Sequence, residues 1–306
     1  MRIAVIDLGT NTFNLLVAEV SGSQMSVLYK DELGIKLGEG GIHRKIITEA
    51  SFHRGLKGLE KHLNTAGDWK ADEVLAVATS GIRTADNGKE FIREVKFRFG
   101  IEVKTITGDE EAGLIYRGVR QAVEMGDRTS LIVDIGGGSN EFIIAGRQRY
   151  FWKKSIDIGM ARILERFNPS DPITHDEIDQ INIYFEKALQ PLYEPIQQYQ
   201  PELFIGCAGT FKTVRNMLIK EGVLSETPQQ PWFEIYYSQF EKLHKRLLFS
   251  TTEERKQMPG LELFRVDMIV LASLFVNFIM QKFGFDRMMQ SDYSIKGGVV
   301  DQYMNP

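Results

Sequence analysis

Apolar residues follow two patterns over the first 124 residues: short continuous runs, and longer segments where they recur at helical spacing. The runs at 3–6 and 15–20 are predicted to be buried strands on either side of a tight polar turn, and 24–30 a third strand. Further strands are predicted at 73–78 and 103–106, and helices at 50–63, 89–99 and 109–123. Because the later strands alternate with helices, the sheet should be mixed or parallel.

The strand and turn pattern of the N-terminus recurs in the middle of the chain. When the turn 7–12 is aligned with 134–139, the apolar run 15–18 falls on 142–145. The repeat is too long for a solenoid, so it indicates an internal duplication and predicts two similar sheets that face each other. The turn residues are Gly9, Thr10, Asn11 and Thr12 in the first copy, and Gly136, Gly137, Gly138 and Ser139 in the second.

After residue 150 the pattern becomes mainly helical. One strand is predicted at 203–206, and the segment 228–231 is predicted to be a surface loop because it contains two prolines. Helices are predicted at 160–167, 174–192, 209–220, 236–249 and 265–283. The second half should therefore be richer in helix than the first.

The chain length and charge narrow the possibilities further. A chain of 306 residues exceeds what one hydrophobic core usually supports, so we predict two domains, 1–124 and 125–306, with the last helix packing back on the first. The formal net charge of −4 gives no general attraction to nucleic acid, and no nucleic-acid partner is expected. An anionic substrate would have to be bound by locally placed donors and cations.

The single cysteine, Cys207, excludes an internal disulfide and any multi-cysteine metal site. The apolar run 3–6 is interrupted by Asp7 too early for a secretory signal, and no later stretch reaches membrane-spanning length. We therefore expect a cytoplasmic protein without a membrane partner.

The two turns have the composition of phosphate-binding loops. Glycine, threonine, asparagine and serine present backbone N–H groups and hydroxyls without bulky side chains, which lets a phosphate oxygen approach closely. Each turn follows a strand that ends in an acid, Asp7 or Asp134, suited to holding a divalent cation or a water molecule. Two such turns related by a repeat favour phosphate binding over a purely structural role.

A third glycine-containing element, 206–210, joins a predicted strand to a predicted helix. The amides near Gly209 and Thr210 could face an anion or a nucleotide from the helix N-terminus. A structural connector with Thr210 as the N-cap of the helix explains the segment equally well. Both interpretations remain open.

Four segments resemble the exopolyphosphatase and guanosine pentaphosphate phosphohydrolase family. They are Asp-Leu-Gly-Thr-Asn-Thr-Phe-Asn at 7–14, Ala-Thr-Ser-Gly-Ile-Arg at 78–83, Gly-Asp-Glu-Glu-Ala at 108–112 and Asp-Ile-Gly-Gly-Gly-Ser-Asn-Glu at 134–141. The resemblance extends to the segments at 265–267 and 295–300, and so covers essentially the whole chain. It implies an α/β fold of two actin-like (ribonuclease H-like) domains with a central cleft, the second domain being helix-rich.

The resemblance implies that Glu111 is the catalytic carboxylate, which orients the attacking water. From the residues alone, Glu110 and Glu111 could equally be first-turn acids that stabilise a helix dipole. Arg83 follows the end of a strand and could hold a non-terminal phosphate, as the resemblance also implies. Glu141 occupies the position of Asn14 in the first copy, so Asp134 and Glu141, with Asp7, are the predicted ligands of Mg²⁺ or another divalent cation.

The predicted activity is release of orthophosphate from inorganic polyphosphate, with guanosine pentaphosphate as a second substrate. The alternatives are an ATP-dependent kinase or ATPase of the same superfamily, and a non-catalytic sensor that binds a guanosine alarmone. Cys207 and Ala272 depart from the family pattern and put nucleotide binding by the third element in doubt. A homodimer is expected from the general frequency of such assemblies and from the resemblance.

Overall fold

A computed structural model describes residues 1–22, 24–227 and 230–305 of the chain, so residues 228–229 of the predicted surface loop lie outside the described residues. The first half contains a five-stranded sheet in the order β3-β2-β1-β4-β5. Its strands are β1 (Arg2–Leu8), β2 (Thr12–Ser21), β3 (Gln24–Gly34), β4 (Glu73–Ala78) and β5 (Val103–Thr105). The first three strands are antiparallel, while β4 lies parallel to β1 and to β5. This confirms the predicted mixed sheet.

The helices of the first half begin and end at recognisable signals. They are α1 (Glu49–Asp68), α2 (Ser80–Arg83), α3 (Gly88–Phe99) and α4 (Gly108–Ala122). The side chain of Thr48 accepts a hydrogen bond from Ser51 N and caps α1, and α3 ends at Gly100, whose φ of 72° is left-handed. Both positions follow the usual sequence rules for helix ends.

The second half contains a six-stranded sheet in the order β10-β11-β9-β6-β7-β8. Its strands are β6 (Ser130–Ile135), β7 (Asn140–Ala145), β8 (Tyr150–Ile156), β9 (Leu203–Cys207), β10 (Trp232–Tyr236) and β11 (Arg287–Ser291). Strands β6, β7 and β8 repeat the antiparallel arrangement of β1, β2 and β3, and β9 lies parallel to β6 as β4 does to β1. The internal duplication predicted from the sequence is confirmed.

The second half is helix-rich, as predicted. Its helices are α5 (Met160–Phe167), α6 (His175–Ala188), α7 (Gln190–Tyr199), α8 (Ala208–Lys220), α9 (Tyr237–Leu248), α10 (Thr252–Lys256), α11 (Ile269–Phe283) and α12 (Ile295–Met304). None of the helices described here combines the length and the apolar character needed to cross a membrane.

Two predictions for this half are wrong. The single helix predicted at 174–192 is two helices, α6 and α7, since Pro191 has no N–H to continue the hydrogen-bond ladder. The prediction of one strand missed β8, β10 and β11, because their residues carry no clear alternation of polar and apolar side chains. Strand β8 lies at one edge of the second sheet, and β10 and β11 extend the sheet beyond β9.

Three hydrophobic cores hold the molecule together. One lies between the first sheet and helices α1 and α3, another between the second sheet and helices including α8, α9 and α11, and the third joins both sheets around α4 and α12. At this third core a Cβ on Gly118 would lie 2.0 Å from Ser294 O, and one on Gly298 would lie 1.8 Å from Leu114 O. Helices α4 and α12 therefore cross in direct backbone contact. The domain boundary after residue 124 stays a prediction, since this core joins residues from both sides of it.

Candidate active site

The two glycine turns have the same backbone geometry. Gly9 N donates to Thr12 O at 3.1 Å, and Gly136 N donates to Ser139 O at 3.1 Å. A Cβ placed on Gly9 would lie 2.7 Å from the carbonyl oxygen of Thr12. A Cβ placed on Gly136 would lie 2.5 Å from the carbonyl oxygen of Ser139. Both turns thus need glycine at their first position, and the duplication preserves this requirement.

The turns face each other and touch. A Cβ on Gly137 would lie 3.1 Å from Asn11 Cβ, and one on Gly138 would lie 2.5 Å from Thr10 Oγ1. A cleft of about 550 Å³ begins beside this contact. All eight turn residues line it: Gly9, Thr10, Asn11, Thr12, Gly136, Gly137, Gly138 and Ser139. The structure brings them together, and their role in binding phosphate stays a prediction.

The third glycine element reaches the same cleft through Gly209 and Thr210. Helix α8 has its N-cap at Cys207, so the interpretation of Thr210 as the N-cap is wrong; Thr210 lies within the first turn. A Cβ on Gly209 would lie 1.9 Å from Arg265 Nη2. The guanidinium group of Arg265 therefore lies directly against Gly209.

Glu110 and Glu111 have different surroundings at the start of α4. The carboxylate of Glu110 accepts from Thr107 N at 2.7 Å, and Thr107 Oγ1 accepts from Glu110 N at 3.1 Å. This reciprocal pair is a capping box, so Glu110 serves the helix. Glu111 is only 8% exposed and lines the cleft. The helix-end interpretation therefore accounts for Glu110 but not for Glu111, whose side chain lines the cleft.

Arg83 lies beside the cleft that the two turns form without lining it, and its predicted contact with a phosphate stays a prediction. Its Nη1 donates to Glu111 Oε2 at 2.8 Å and to Ile106 O at 3.0 Å. Its other side faces a shallow depression that also contains Lys153. The guanidinium thus orients Glu111, a role that depends on how α2 meets α4.

The predicted cation ligands lie at equivalent positions of the two copies. Asp7 is opposite Asn14 in the β1–β2 pair, and Asp134 is opposite Glu141 in the β6–β7 pair. Asn14 Nδ2 donates to Asp7 Oδ2 at 3.2 Å. The other oxygen of Asp7, Oδ1, is buried and has no hydrogen-bond partner within the part of the chain that the structure describes. An oxygen in this position is open to a cation or a water molecule.

Hydroxyl and thiol groups fix the two acids of the second copy. Glu141 Oε1 accepts from Ser139 Oγ and from Ser155 Oγ, both at 2.7 Å. Cys207 Sγ donates to Asp134 Oδ2 at 3.5 Å. The buried Cys207 therefore contacts the site, which sequence reasoning did not anticipate.

Four carboxyl groups lose most of their solvent at this site. Burial raises the pKa of Asp7 to about 6, that of Glu141 to about 7 and that of Asp134 to about 8. Burial, and then the charge of Glu141, raise the pKa of Glu111 well above its usual range. An added positive charge would favour the ionised forms of these acids, because like charges this close oppose one another.

The acids of this site suit a hard divalent cation that takes only one or two of its ligands from the protein. Over residues 1–22, 24–227 and 230–305, no three side chains among His, Cys, Asp and Glu converge as a complete metal site. Mg²⁺ is commonly held by one or two carboxylates, with water and substrate phosphates supplying the other oxygens. The open oxygen of Asp7 and the fixed carboxylate of Glu141 suit that mode.

Lys296 and Ser155 are site residues that sequence reasoning missed. Lys296 lies at the start of α12 and lines the cleft, although its segment was noted only as part of a resemblance. Ser155 reaches Glu141 because β8 pairs with β7. The positions of both depend on contacts between distant segments, and no local pattern marks them.

Two equivalent strand–turn–strand units with a shared carboxylate cleft define an actin-like α/β protein. The chain belongs to the Ppx/GppA phosphatase family, whose profile matches residues 16–305. Its structure is similar to that of an exopolyphosphatase from Cytophaga hutchinsonii, with a TM-score of 0.96, 36% identity and coverage of 100% of this chain and 98% of that one. The Aquifex aeolicus member of the family aligns with a TM-score of 0.80 and 25% identity over 99% of this chain and 97% of that one.

Similarity to a curated protein supports membership of the same family. The chain is 31% identical over 221 residues to a guanosine-5'-triphosphate,3'-diphosphate pyrophosphatase from Photobacterium profundum, which covers 72% of this chain and 44% of that protein. The chain spans about half the length of the curated relatives it matches. The predicted family and the α/β fold with two actin-like units are thereby confirmed.

Proposed function

We propose that this protein is a phosphoanhydride hydrolase that releases orthophosphate from the end of inorganic polyphosphate. The observation that carries the proposal is the buried carboxylate of Glu111, held by Arg83 and facing a cleft lined by both glycine turns. Phosphoryl transfer requires mainly that a nucleophile and a phosphate be positioned and that charge be stabilised. The similar exopolyphosphatase structure supports the choice of substrate.

In the proposed reaction the oxygen of a water molecule bonds to the terminal phosphorus while the bond to the bridging oxygen breaks. The products are orthophosphate and a chain shorter by one phosphate. Glu111 accepts a hydrogen bond from the water and takes its proton. The turns donate backbone N–H groups to the terminal phosphate oxygens.

A divalent cation, which we propose to be Mg²⁺, would be held by Asp134 and Glu141 with Asp7. It supplies positive charge that stabilises the phosphate oxygens during the reaction. The same charge favours the ionised form of Glu111, whose pKa burial raises. Removal of divalent cations with EDTA should abolish orthophosphate release, and added Mg²⁺ should restore it.

Orthophosphate release from polyphosphate tests the assignment of Glu111. Glu111→Gln keeps the shape of the side chain and should lower kcat about 100-fold or more, since a positioned general base contributes at least that factor. Glu110→Gln is the matched control, because glutamine also completes a capping box. Equal rates for Glu111→Gln and the wild type would remove Glu111 from the mechanism.

Guanosine pentaphosphate is the proposed second substrate, supported by the name of the Photobacterium relative. A panel of polyphosphate, guanosine pentaphosphate and ATP, followed by phosphate release, separates the candidate functions. Faster turnover of ATP than of polyphosphate would select the kinase or ATPase alternative. Binding of guanosine pentaphosphate without turnover in Mg²⁺ would select the sensor.

We further propose that the enzyme acts in the cytoplasm as a homodimer. The base rate of twofold assemblies supports a dimer, and the single buried cysteine is compatible with a reducing compartment. Light scattering after size-exclusion chromatography should give twice the mass of the chain, and a monomer mass would contradict the assembly.

A further inference from the structure

Besides Arg265, which pairs with Glu32, four cations of the described residues line the cleft, and the proposed reaction assigns them no role. They come from three separate elements: Lys30 from β3, Lys212 and Arg215 from α8, and Lys296 from α12. We call these four residues the cationic wall. Because they converge on one cavity from distant parts of the chain, their proximity is a property of the fold.

Lys296 forms no hydrogen bond or ion pair with any residue that the structure describes, although it is only partly exposed. Its backbone is fixed, since α12 crosses α4 in direct contact at Gly118 and Gly298. Burial lowers the pKa of Lys296, and the charges of Asp7, Glu32 and Asp134 act against that shift. A partly buried ammonium group without a partner is costly unless an anion binds there.

The members of the cationic wall also repel one another. Loss of solvent around its ammonium group lowers the pKa of Lys30; the charge of Asp292 opposes this shift, while the positive charges of Lys296, Lys212 and Arg215 add to it. The fold has therefore gathered like charges in one cavity, at a cost in stability that a bound anion would offset.

The acids near the cationic wall are largely committed to other partners. Glu32 forms an ion pair with Arg265 and lies 3.7 Å from the ammonium group of Lys212. Glu262 accepts a hydrogen bond from Thr213 at 2.7 Å, and Asp292 pairs with Arg215. Positive charge therefore remains for an external anion, chiefly on Lys296 and Lys212.

The wall also leads away from the carboxylates. Lys30 and Arg215 line both the main cleft and a second cavity of about 750 Å³. An extended anion whose end lies at the two turns can thus continue past Lys296 and Lys212 towards this second cavity. Orthophosphate is too short to reach both regions.

We propose that the cationic wall binds the non-terminal phosphates of a linear polyphosphate chain while its terminal phosphate lies at the two turns. This inference rests on the proposed function and gives the wall the role that sequence reasoning had assigned to Arg83. Lys212 and Lys296 are its principal ligands. Neither touches the bond that breaks, so both act on substrate affinity.

Calorimetric titration with tripolyphosphate and with orthophosphate, in buffer containing EDTA, tests the proposal without turnover. Lys212→Met and Lys296→Met should each raise the Kd for tripolyphosphate about tenfold, as expected for loss of one charge-assisted hydrogen bond. The Kd for orthophosphate should change less than about twofold for Lys212→Met, because one phosphate fills only the turns. Lys212→Arg should keep the affinity for tripolyphosphate.

Lys245→Met is the matched control, because Lys245 is exposed on α9 and pairs with Glu241 at 2.8 Å. Unchanged tripolyphosphate affinity in both Lys212→Met and Lys296→Met would overturn the cationic wall, even if the wild type hydrolyses polyphosphate. Equal weakening of both ligands in Lys212→Met would also overturn it, since that result indicates general loss of positive potential. Wild type that binds tripolyphosphate but releases no orthophosphate with Mg²⁺ would instead overturn the proposed function.

Discussion

The two copies of the strand–turn–strand unit carry different residues across three equivalent strand positions. In the first sheet Asp7, Asn14 and Glu32 lie opposite one another, and in the second sheet the same row is Asp134, Glu141 and Ser155. Each row has two acids and one neutral polar group, but the neutral group is central in the first row and outermost in the second.

This exchange separates the tasks of the two sheets. Glu32, at the outer position of the first row, forms an ion pair with Arg265 from the other half of the chain. Glu141, at the central position of the second row, stays in the cleft and is fixed by Ser155 and Ser139. The two copies share a backbone but place their carboxylates differently, which is the basis for proposing that one turn binds a phosphate and the other holds a cation.

The largest effect should follow from making the second row resemble the first. Glu141→Asn should lower orthophosphate release from polyphosphate about a thousandfold, since metal stabilisation is worth several kcal/mol and each 1.4 kcal/mol is about tenfold. Steady-state assays across a range of Mg²⁺ concentrations measure the loss. Asn14→Glu added to Glu141→Asn should not restore activity, because Glu32 would then lie opposite a second acid. Recovery in the double variant would show that the two turns are interchangeable.

A smaller loss should come from the outer position of the second row. Ser155→Ala removes one of the two hydroxyls that donate to Glu141, and should reduce activity at limiting Mg²⁺ about tenfold. The effect should diminish at saturating Mg²⁺, because the group positions a ligand. Ser130→Ala is the control, since the buried Ser130 hydroxyl has no hydrogen-bond partner among the described residues. A loss of activity that is equally large at limiting and at saturating Mg²⁺ would contradict this role.

The central position of the first row should matter less. Asn14→Ala removes the hydrogen bond to Asp7, and should reduce kcat/KM about threefold, the usual worth of one such bond. The activity of Asn14→Ala should depend on Mg²⁺ concentration in the same way as that of the wild type. If Asn14→Ala lost as much activity as Glu141→Asn, the division of tasks between the rows would be wrong.

The smallest expected difference concerns stability without divalent cations. The pKa values of Asp7 and Asp134 are raised from 3.8 to about 6 and about 8, so the folded protein binds protons more tightly than the unfolded chain. The unfolded state therefore holds fewer protons between pH 4 and 8, and stability should fall as pH rises through that range. Urea unfolding in EDTA should give a lower midpoint at pH 8 than at pH 5. Asp134→Asn should reduce this dependence more than Asp7→Asn, and a midpoint that rises with pH would contradict it.

Much of the fold and part of the site could be predicted from the sequence, because their signals are local. The glycines of a turn and the apolar residues of a strand are each close together in sequence. The turns, the duplication and the exposed helix cap at Glu110 can therefore be inferred from the sequence. Contacts of Arg83, Ser155 and Lys296 arise from helix crossings and strand register between segments far apart. Glu32 and Ser155, the outer members of the two rows, come from the third strand of each sheet, and no short motif encodes how those strands pair.

The crossing of α4 and α12 also sets an order of events during synthesis. Helix α4, with Glu111 at its start, leaves the ribosome long before residues 295–304, yet Gly118 requires the backbone of α12 to complete its packing. Domains generally fold as they emerge, N-terminal parts first. The nascent first half therefore carries Glu111 on a helix whose packing is incomplete. The cleft gains its full set of lining side chains only when the later helix docks, so the candidate site is assembled late in synthesis.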